Sequence, residues 1–121
     1  MNYKKHGEII QKTGGIFKKY GLSLKKMGGF IKQEDQEGLK KVSRGLLANA
    51  KRDRAAYVKK RDRLSTDEIH APMDKEIITL FDAIIDSCSR IDKASLNDWG
   101  AMQAAADNLS RALDNSAFSR G

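Results

Sequence analysis

Apolar residues in the C-terminal half of the chain recur at steps of three and four positions, which is the spacing of one face of an α-helix. Two such stripes follow one another: Ile77, Leu80, Phe81, Ile84, Ile85, Cys88 and Ile91, and then Trp99, Met102, Ala106, Leu109 and Leu113. Only Asp92 to Ala94 connect them, and helices joined by so few residues pack antiparallel. The pattern therefore predicts an antiparallel helical hairpin over about 72–116.

Local signals mark where these helices begin. Pro72 suits the first position of a helix, because the missing N–H would have no partner there. Ser95, with Asp98 three residues later, is a weaker form of the capping box and predicts the start of the last helix. Ser65 with Glu68 has the full capping-box pattern, so we expect a short helical turn ahead of Pro72.

The middle segment also has helical spacing. Its apolar positions are Leu39, Val42, Leu46, Leu47, Ala50, Tyr57 and Leu64. The stripe thins after Ala50, which indicates that one end of the helix is buried and the other is solvated. We predict one long basic helix over about 36–64.

The first 34 residues contain a seven-residue repeat, KKHGEII, QKTGGIF, KKYGLSL and KKMGGFI. Apolar or small residues on one side are Ile10, Thr13, Phe17, Tyr20, Leu24, Met27 and Ile31, and the opposite side carries Lys12, Lys18, Lys19, Lys25, Lys26 and Lys32. Drawn as one helix, the segment is cationic and amphipathic.

Glycine leaves two interpretations of this repeat open. Six glycines would each cost about 1 kcal/mol relative to alanine, so a single helix would need something external to hold it. Alternatively, Gly14-Gly15 and Gly28-Gly29 are turns that separate short helices. Both interpretations keep the segment helical, and together with the other segments they predict a small all-α bundle.

Charge divides the chain into a basic N-terminal half and an acidic C-terminal half. The 121 residues fit a single domain, 1–121, with a Gly/Lys heptad segment (1–34), a basic helix (35–64) and an acidic hairpin (65–121). Residues 1–63 hold 18 Lys or Arg against six acids, and residues 64–121 hold five against ten, within an overall charge of +7. An excess of this size favours an anionic partner.

Cysteine usage and hydropathy indicate the compartment. The single cysteine excludes an intramolecular disulfide, and no apolar run approaches the roughly 18 residues of a membrane span. The Lys-rich start lacks an apolar run followed by a cleavage site. We expect a cytoplasmic protein.

The strongest local signal is a short basic repeat, in which Lys51-Arg52-Asp53-Arg54 recurs nine residues later as Lys60-Arg61-Asp62-Arg63. The guanidinium group of arginine forms two parallel hydrogen bonds with a phosphate or a carboxylate, so we predict an anion-binding surface here. The candidate contacts to nucleic acid or to an acidic partner are Lys40, Lys41, Arg44, Lys51, Arg52, Arg54, Lys59, Lys60, Arg61 and Arg63. The alternative is that each aspartate pairs with a neighbouring arginine, or that the acidic hairpin neutralises this side.

Catalytic chemistry finds little support in the sequence. His6 and His70 are far apart, and neither stands near a second ligand at a recognised metal spacing. Cys88 lies on an apolar stripe without a basic neighbour, which is typical of a buried thiol. We expect no enzyme activity, no metal and no cofactor.

Three binding functions fit these patterns. The first hypothesis is a protein that contacts the nucleic-acid backbone through the basic half. The second is an inhibitor, adaptor or assembly subunit whose basic helices dock on an acidic protein or on another copy in a homo-oligomer. The third is binding of an anionic membrane surface through residues 3–32.

Overall fold

Within residues 3–116, which the computed structural model describes, four α-helices follow one another. They are α1 (Lys4–Lys32), α2 (Gln36–Arg61), α3 (Ala71–Lys93) and α4 (Trp99–Asp114), with a 3-10 turn at Thr66–Glu68. Each α-helix packs against the next one in the sequence, and α1 also touches the 3-10 turn and α4. The predicted all-α bundle, with a long basic helix and a C-terminal helical hairpin, is confirmed.

Helix α1 is one continuous helix of 29 residues. It passes through both glycine pairs, so the interpretation of Gly14-Gly15 and Gly28-Gly29 as turns is wrong. Its predicted apolar side faces inward, with Phe17, Tyr20 and Met27 buried. The support that this glycine-rich helix requires comes from packing against the rest of the bundle.

The turn between α1 and α2 requires glycine for a steric reason. Asp35 caps α2 by accepting a hydrogen bond of 2.9 Å from the backbone N–H of Gly38. A Cβ atom at Gly38 would lie 2.6 Å from the ring of Phe30 and 2.8 Å from the Asp35 carboxylate. Any side chain at this position would therefore have to displace the Phe30 ring and the Asp35 carboxylate.

Helix α3 begins one residue earlier than the sequence predicts. His70 is its N-cap and accepts from the backbone N–H of Met73, which places Pro72 in the second helical position rather than the first. The short helical turn before it is present, with both halves of the Ser65–Glu68 capping box formed. Proline is tolerated anywhere in the first turn because those N–H groups have no helical partner.

Helix α4 begins at Trp99, and its N-cap is Asp98. The Asp98 side chain accepts a 3.2 Å hydrogen bond from the N–H of Ala101. The expectation that Ser95 opens this helix is wrong, because residues 95–98 form the turn ahead of it. Aspartate at this position also suits the positive end of the helix dipole.

The core lies where α3 meets its two neighbours. Ile77, Phe81, Ile84 and Ile91 of α3 are fully buried. Cys88 is buried in the same stripe, and this burial raises the pKa of its thiol to about 11. The thiol is therefore protonated at neutral pH, and Cys88 packs as a small apolar residue.

Candidate nucleic-acid interface

Three arginines of α2 pair with three aspartates of α3, and we call this set the arginine ladder. Its pairs are Arg44–Asp92, Arg54–Asp82 at 2.8 Å and Arg61–Asp74 at 3.2 Å. The arginines are ten and seven residues apart and the aspartates ten and eight, in the reverse order. Matching spacings in reverse order show that α2 and α3 run antiparallel in register.

Lys40 extends the arginine ladder at the C-terminal end of α3. Its ammonium group donates a 3.0 Å hydrogen bond to the backbone carbonyl of Asp92 and a second one to the carbonyl of Ala94. The last carbonyls of a helix lack helical donors, so a lysine there satisfies them and complements the negative end of the dipole. The nearby hydrogen bond from Arg44 lowers the pKa of the Asp92 carboxyl.

The two aspartates of the basic repeat have local partners. Asp53 contacts Arg52 at 3.2 Å and also accepts a 2.5 Å hydrogen bond from the buried hydroxyl of Tyr20 on α1. Asp62 lies 3.0 Å from Arg61. Lys40, Arg44, Arg52, Arg54 and Arg61, which are half of the ten candidate contacts, are thus engaged inside the chain.

The other five candidate contacts differ from these. They are Lys41, Lys51, Lys59, Lys60 and Arg63. All five are exposed, and within residues 3–116 their side chains make no ion pair or hydrogen bond, although Lys51 is close enough to Asp92 to help lower the pKa of that carboxyl. They are distributed along α2 and the residues just after it, so the structure leaves them available to an external anion.

Six further cations lie on the outer side of α1, and we call them the lysine face. They are Lys12, Lys18, Lys19, Lys25, Lys26 and Lys32, all of them exposed and without an ion pair among the described residues. Glu8 is the one acidic residue within α1. Sequence analysis placed these lysines opposite the apolar stripe but did not include them among the candidate contacts.

The lysine face consists of two parallel rows. At about 100° per residue, positions 12, 19 and 26 form one row and positions 18, 25 and 32 form another, roughly 120° around the helix. Within a row, successive lysines are about 10.5 Å apart along the axis. Leu22, which is 62% exposed, lies between the rows. The lysine side chains therefore flank a narrow, solvent-facing strip of α1 that contains Leu22.

Sequence analysis missed a buried polar cluster that joins distant parts of the chain, which we call the His6 cluster. The Nδ1 atom of His6 accepts a 2.9 Å hydrogen bond from the backbone N–H of His70, and Nε2 lies 2.9 Å from the Tyr57 hydroxyl. That hydroxyl donates to Asp74 at 2.7 Å, and Asp74 pairs with Arg61. A signal was present, because His6 lies four residues before Ile10 and continues the apolar stripe of α1.

The seam between α1 and α4 is looser than the other helix contacts. A shallow groove of about 160 Å³ lies there, lined by Leu24 and Met27 of α1 and by Ala106 of α4 among others. A space of that size is smaller than the roughly 300–1,000 Å³ typical of a ligand pocket. The lysine face is the larger feature of this side of the molecule.

Searches for known chemistry and for relatives gave no further assignment. Within the described part of the chain, no three His, Cys, Asp or Glu side chains are grouped so that they could hold a metal ion. None of the helices there combines the length and apolar character needed to cross a bilayer. Comparison with protein-family models, with curated proteins and with solved structures found no match.

Proposed function

We propose that this chain is a non-enzymatic protein that binds the phosphate backbone of nucleic acid. The binding surface comprises the lysine face of α1 and the five unpaired cations of α2 and its C-terminal end. The observation that carries the proposal is the number of exposed cations, on α1, on α2 and just after α2, whose side chains form no ion pair in the described structure. The positive potential of these cations attracts a polyanion, and binding is favoured further because the nucleic acid releases its condensed counterions.

Lysine on the outer surface favours binding that is independent of base sequence. An ammonium group is a flexible point charge, whereas base reading relies on the planar guanidinium fork or on amides. Tyr57, the aromatic residue among the basic repeats, is 3% exposed and its hydroxyl is bonded to Asp74. A buried ring cannot stack on an unpaired base, so duplex backbone is a better partner than single strands.

The charges of α3 argue against the docking of a second copy. Head-to-tail assembly would bring the acidic hairpin of one molecule to the lysine face of another. Asp74, Asp82 and Asp92 already pair with arginines of their own chain. Three of the ten carboxylates in residues 64–121 are therefore already engaged within the fold, which reduces the charge that a second copy could offer to the lysine face. Binding of an acidic protein of another kind is a separate outcome of the test.

The burial of α1 argues against insertion into a membrane. Phe17, Tyr20 and Met27, which would enter a bilayer, are buried in the bundle. Membrane binding would have to use the lysines alone or detach the helix from its neighbours. Anionic vesicles accordingly belong in the test as a competitor.

The test is fluorescence anisotropy of labelled duplex DNA and duplex RNA with nuclease-treated protein, at a series of salt concentrations. Engagement of about five phosphates should give a log–log slope near −4.5 on duplex DNA. The variant Lys12→Gln, Lys19→Gln, Lys26→Gln should bind less tightly with a shallower slope, because each lost contact removes about 0.9 from it.

The matched control removes the same charge elsewhere. Lys75, Lys93 and Arg111 are exposed cations of α3 and α4, and their triple change to glutamine should leave the slope unchanged. A flat salt dependence, or equal losses in both triple variants, would refute the proposal. Displacement of the duplex by anionic vesicles or by an acidic polypeptide at equal charge concentration would show that the surface does not select nucleic acid.

A further inference from the structure

The His6 cluster fixes the protonation state of its histidine. The backbone N–H of His70 can only donate, so Nδ1 of His6 must carry a lone pair. The Tyr57 hydroxyl donates its hydrogen bond to Asp74, so towards His6 it can only accept, and the donor is Nε2–H of His6. Every hydrogen bond of the cluster is satisfied by the neutral Nε2–H tautomer of His6 and by no other form.

A proton on Nδ1 would disrupt this arrangement. Two N–H groups, those of His6 and His70, would then face each other across 2.9 Å, where one hydrogen bond exists now. His6 is fully buried, so a charged ring would also lose its hydration. Charging the ring therefore requires it to leave its site.

The charged groups around His6 come from each element that meets at this corner. Arg61 of α2 and the His70 ring at the start of α3 repel a positive charge, whereas Asp74 of α3 attracts it. Lys5 of α1 lies 3.8 Å from Glu68 of the 3-10 turn, so these two charges largely offset each other. Burial has the largest effect, and together these surroundings lower the pKa of His6.

Besides the His6 cluster, the first turns of α1 are held by the Lys5–Glu68 pair and by the packing of Ile9 and Ile10 against the core. At the same corner the ring of Tyr3 packs edge-on against the ring of His70 at 5.1 Å between centroids. Gly7, Gly14 and Gly15 follow within the next turns, and each weakens a helix by about 1 kcal/mol relative to alanine. A Cβ atom at Gly7 or Gly15 would meet nothing within 4 Å, so the glycines themselves add no packing to these turns.

We propose that His6 is an acid-sensitive latch, whose protonation releases the N-terminal turns of α1 from the 3-10 turn and from the start of α3. The latch holds at neutral pH, where the ring is neutral. Below about pH 6.5 the unfolded chain takes up a proton that the folded chain excludes, so stability falls with pH until His6 itself titrates in the folded state. The latch operates independently of what the lysine face binds.

Two measurements on the full chain test the latch. The first is an NMR titration, which should show the Nε2–H tautomer of His6 at neutral pH and a His6 midpoint below the ordinary histidine value of about 6.5. The second is hydrogen exchange with mass spectrometry at pH 7.5 and at about pH 5, corrected for intrinsic exchange rates. The N-terminal turns of α1 should exchange at least tenfold faster at the lower pH, whereas the middle of α3 should change much less.

Two variants assign the effect to one residue. His6→Gln keeps an N–H for Tyr57 but has no group that titrates in this range, so the pH effect should disappear. His70→Asn removes the other histidine of the chain and keeps a good N-cap, so the pH effect should remain. Loss of the effect in His70→Asn, or its persistence in His6→Gln, would overturn the proposal. If His6→Gln does not fold, the NMR midpoint decides, and a value at or above the ordinary 6.5 contradicts the latch.

Discussion

Helix α1 presents six lysines to solvent with no acidic partner in the described structure, whereas α2 commits Arg44, Arg54 and Arg61 to carboxylates of α3. Residue type largely follows this division, because arginine first occurs at position 44, although Lys40 is bound within the fold and Arg63 has no ion pair in the described structure. A guanidinium fork matches a fixed carboxylate, whereas an ammonium group on a flexible chain suits a mobile anion. The comparison teaches that the basic half of the chain has two roles, one structural and one available for binding.

The largest effect should come from removing a carboxylate of the arginine ladder. Asp74→Ala leaves the buried Tyr57 hydroxyl without its acceptor and Arg61 without one of its two partners. We expect a loss of about 2–3 kcal/mol in the free energy of unfolding, measured with urea. The control is Asp86→Ala, whose exposed pair with Arg90 lies within α3 and should contribute less than about 0.5 kcal/mol. Equal losses would mean that the ladder is no stronger than an ordinary surface pair.

Periodicity predicted the helices because it reflects which side of each segment is buried. The stripes of α3 and α4 and the side of α1 with Phe17 and Met27 are in place, since apolar burial is encoded at fixed spacing along one element. The N-cap of α4 is Asp98 rather than Ser95, which shows the usual limit: two nearby residues can each cap a helix, and local geometry decides between them.

The pairing of charges could not be predicted in the same way. Arg54 and Asp82 are 28 residues apart, and only the register of α2 against α3 brings them together. For the same reason His6 and His70, separated by 64 residues, looked unrelated. The amount of positive charge can be counted from the residues, but which cations remain unpaired depends on how the helices pack.

Glycine substitutions should separate the closely packed start of α2 from the open outer side of α1. Gly38→Ala, beside the last turn of α1, should lower the free energy of unfolding by about 1–3 kcal/mol because its Cβ would overlap the Phe30 ring. Gly15→Ala lies between the lysine rows, where a Cβ meets nothing within 4 Å, and should raise it by about 1 kcal/mol. Urea unfolding of each variant and of the native chain measures both changes. A loss of stability in Gly15→Ala would show that the lysine face is not the open surface described above.

Exchanging the two basic residue types tests the division of roles directly. Arg61→Lys loses the fork that bridges Asp62 and Asp74, and we expect it to cost roughly 1 kcal/mol in the free energy of unfolding. Lys19→Arg on the exposed lysine face should change stability by less than about 0.5 kcal/mol. Similar effects of the two exchanges would indicate that fork geometry is unimportant in the ladder.

The smallest effect is expected at the exposed end of the arginine ladder and should depend on pH. The hydrogen bond from Arg44 lowers the pKa of Asp92, so the folded state favours the ionised carboxylate. The stability that this pair contributes is complete above the ordinary aspartate pKa of about 3.9 and is lost as the pH falls through the lower folded value. Asp92→Asn should therefore be slightly less stable than the native chain at neutral pH, and the difference should vanish in acid.

Asp107→Asn is the matched control for this change, because Asp107 is an exposed carboxylate of α4 with no ion pair in the described residues. Urea unfolding of the three proteins at neutral pH and at about pH 3 separates a specific pair from a general charge effect. A general effect would act equally on both variants, because each removes one negative charge from a chain of net charge +7. A pH-dependent difference confined to Asp92→Asn would show that the stabilisation comes from the pair with Arg44. It would then support the view that this arginine is part of the fold, unlike the exposed lysines of α1.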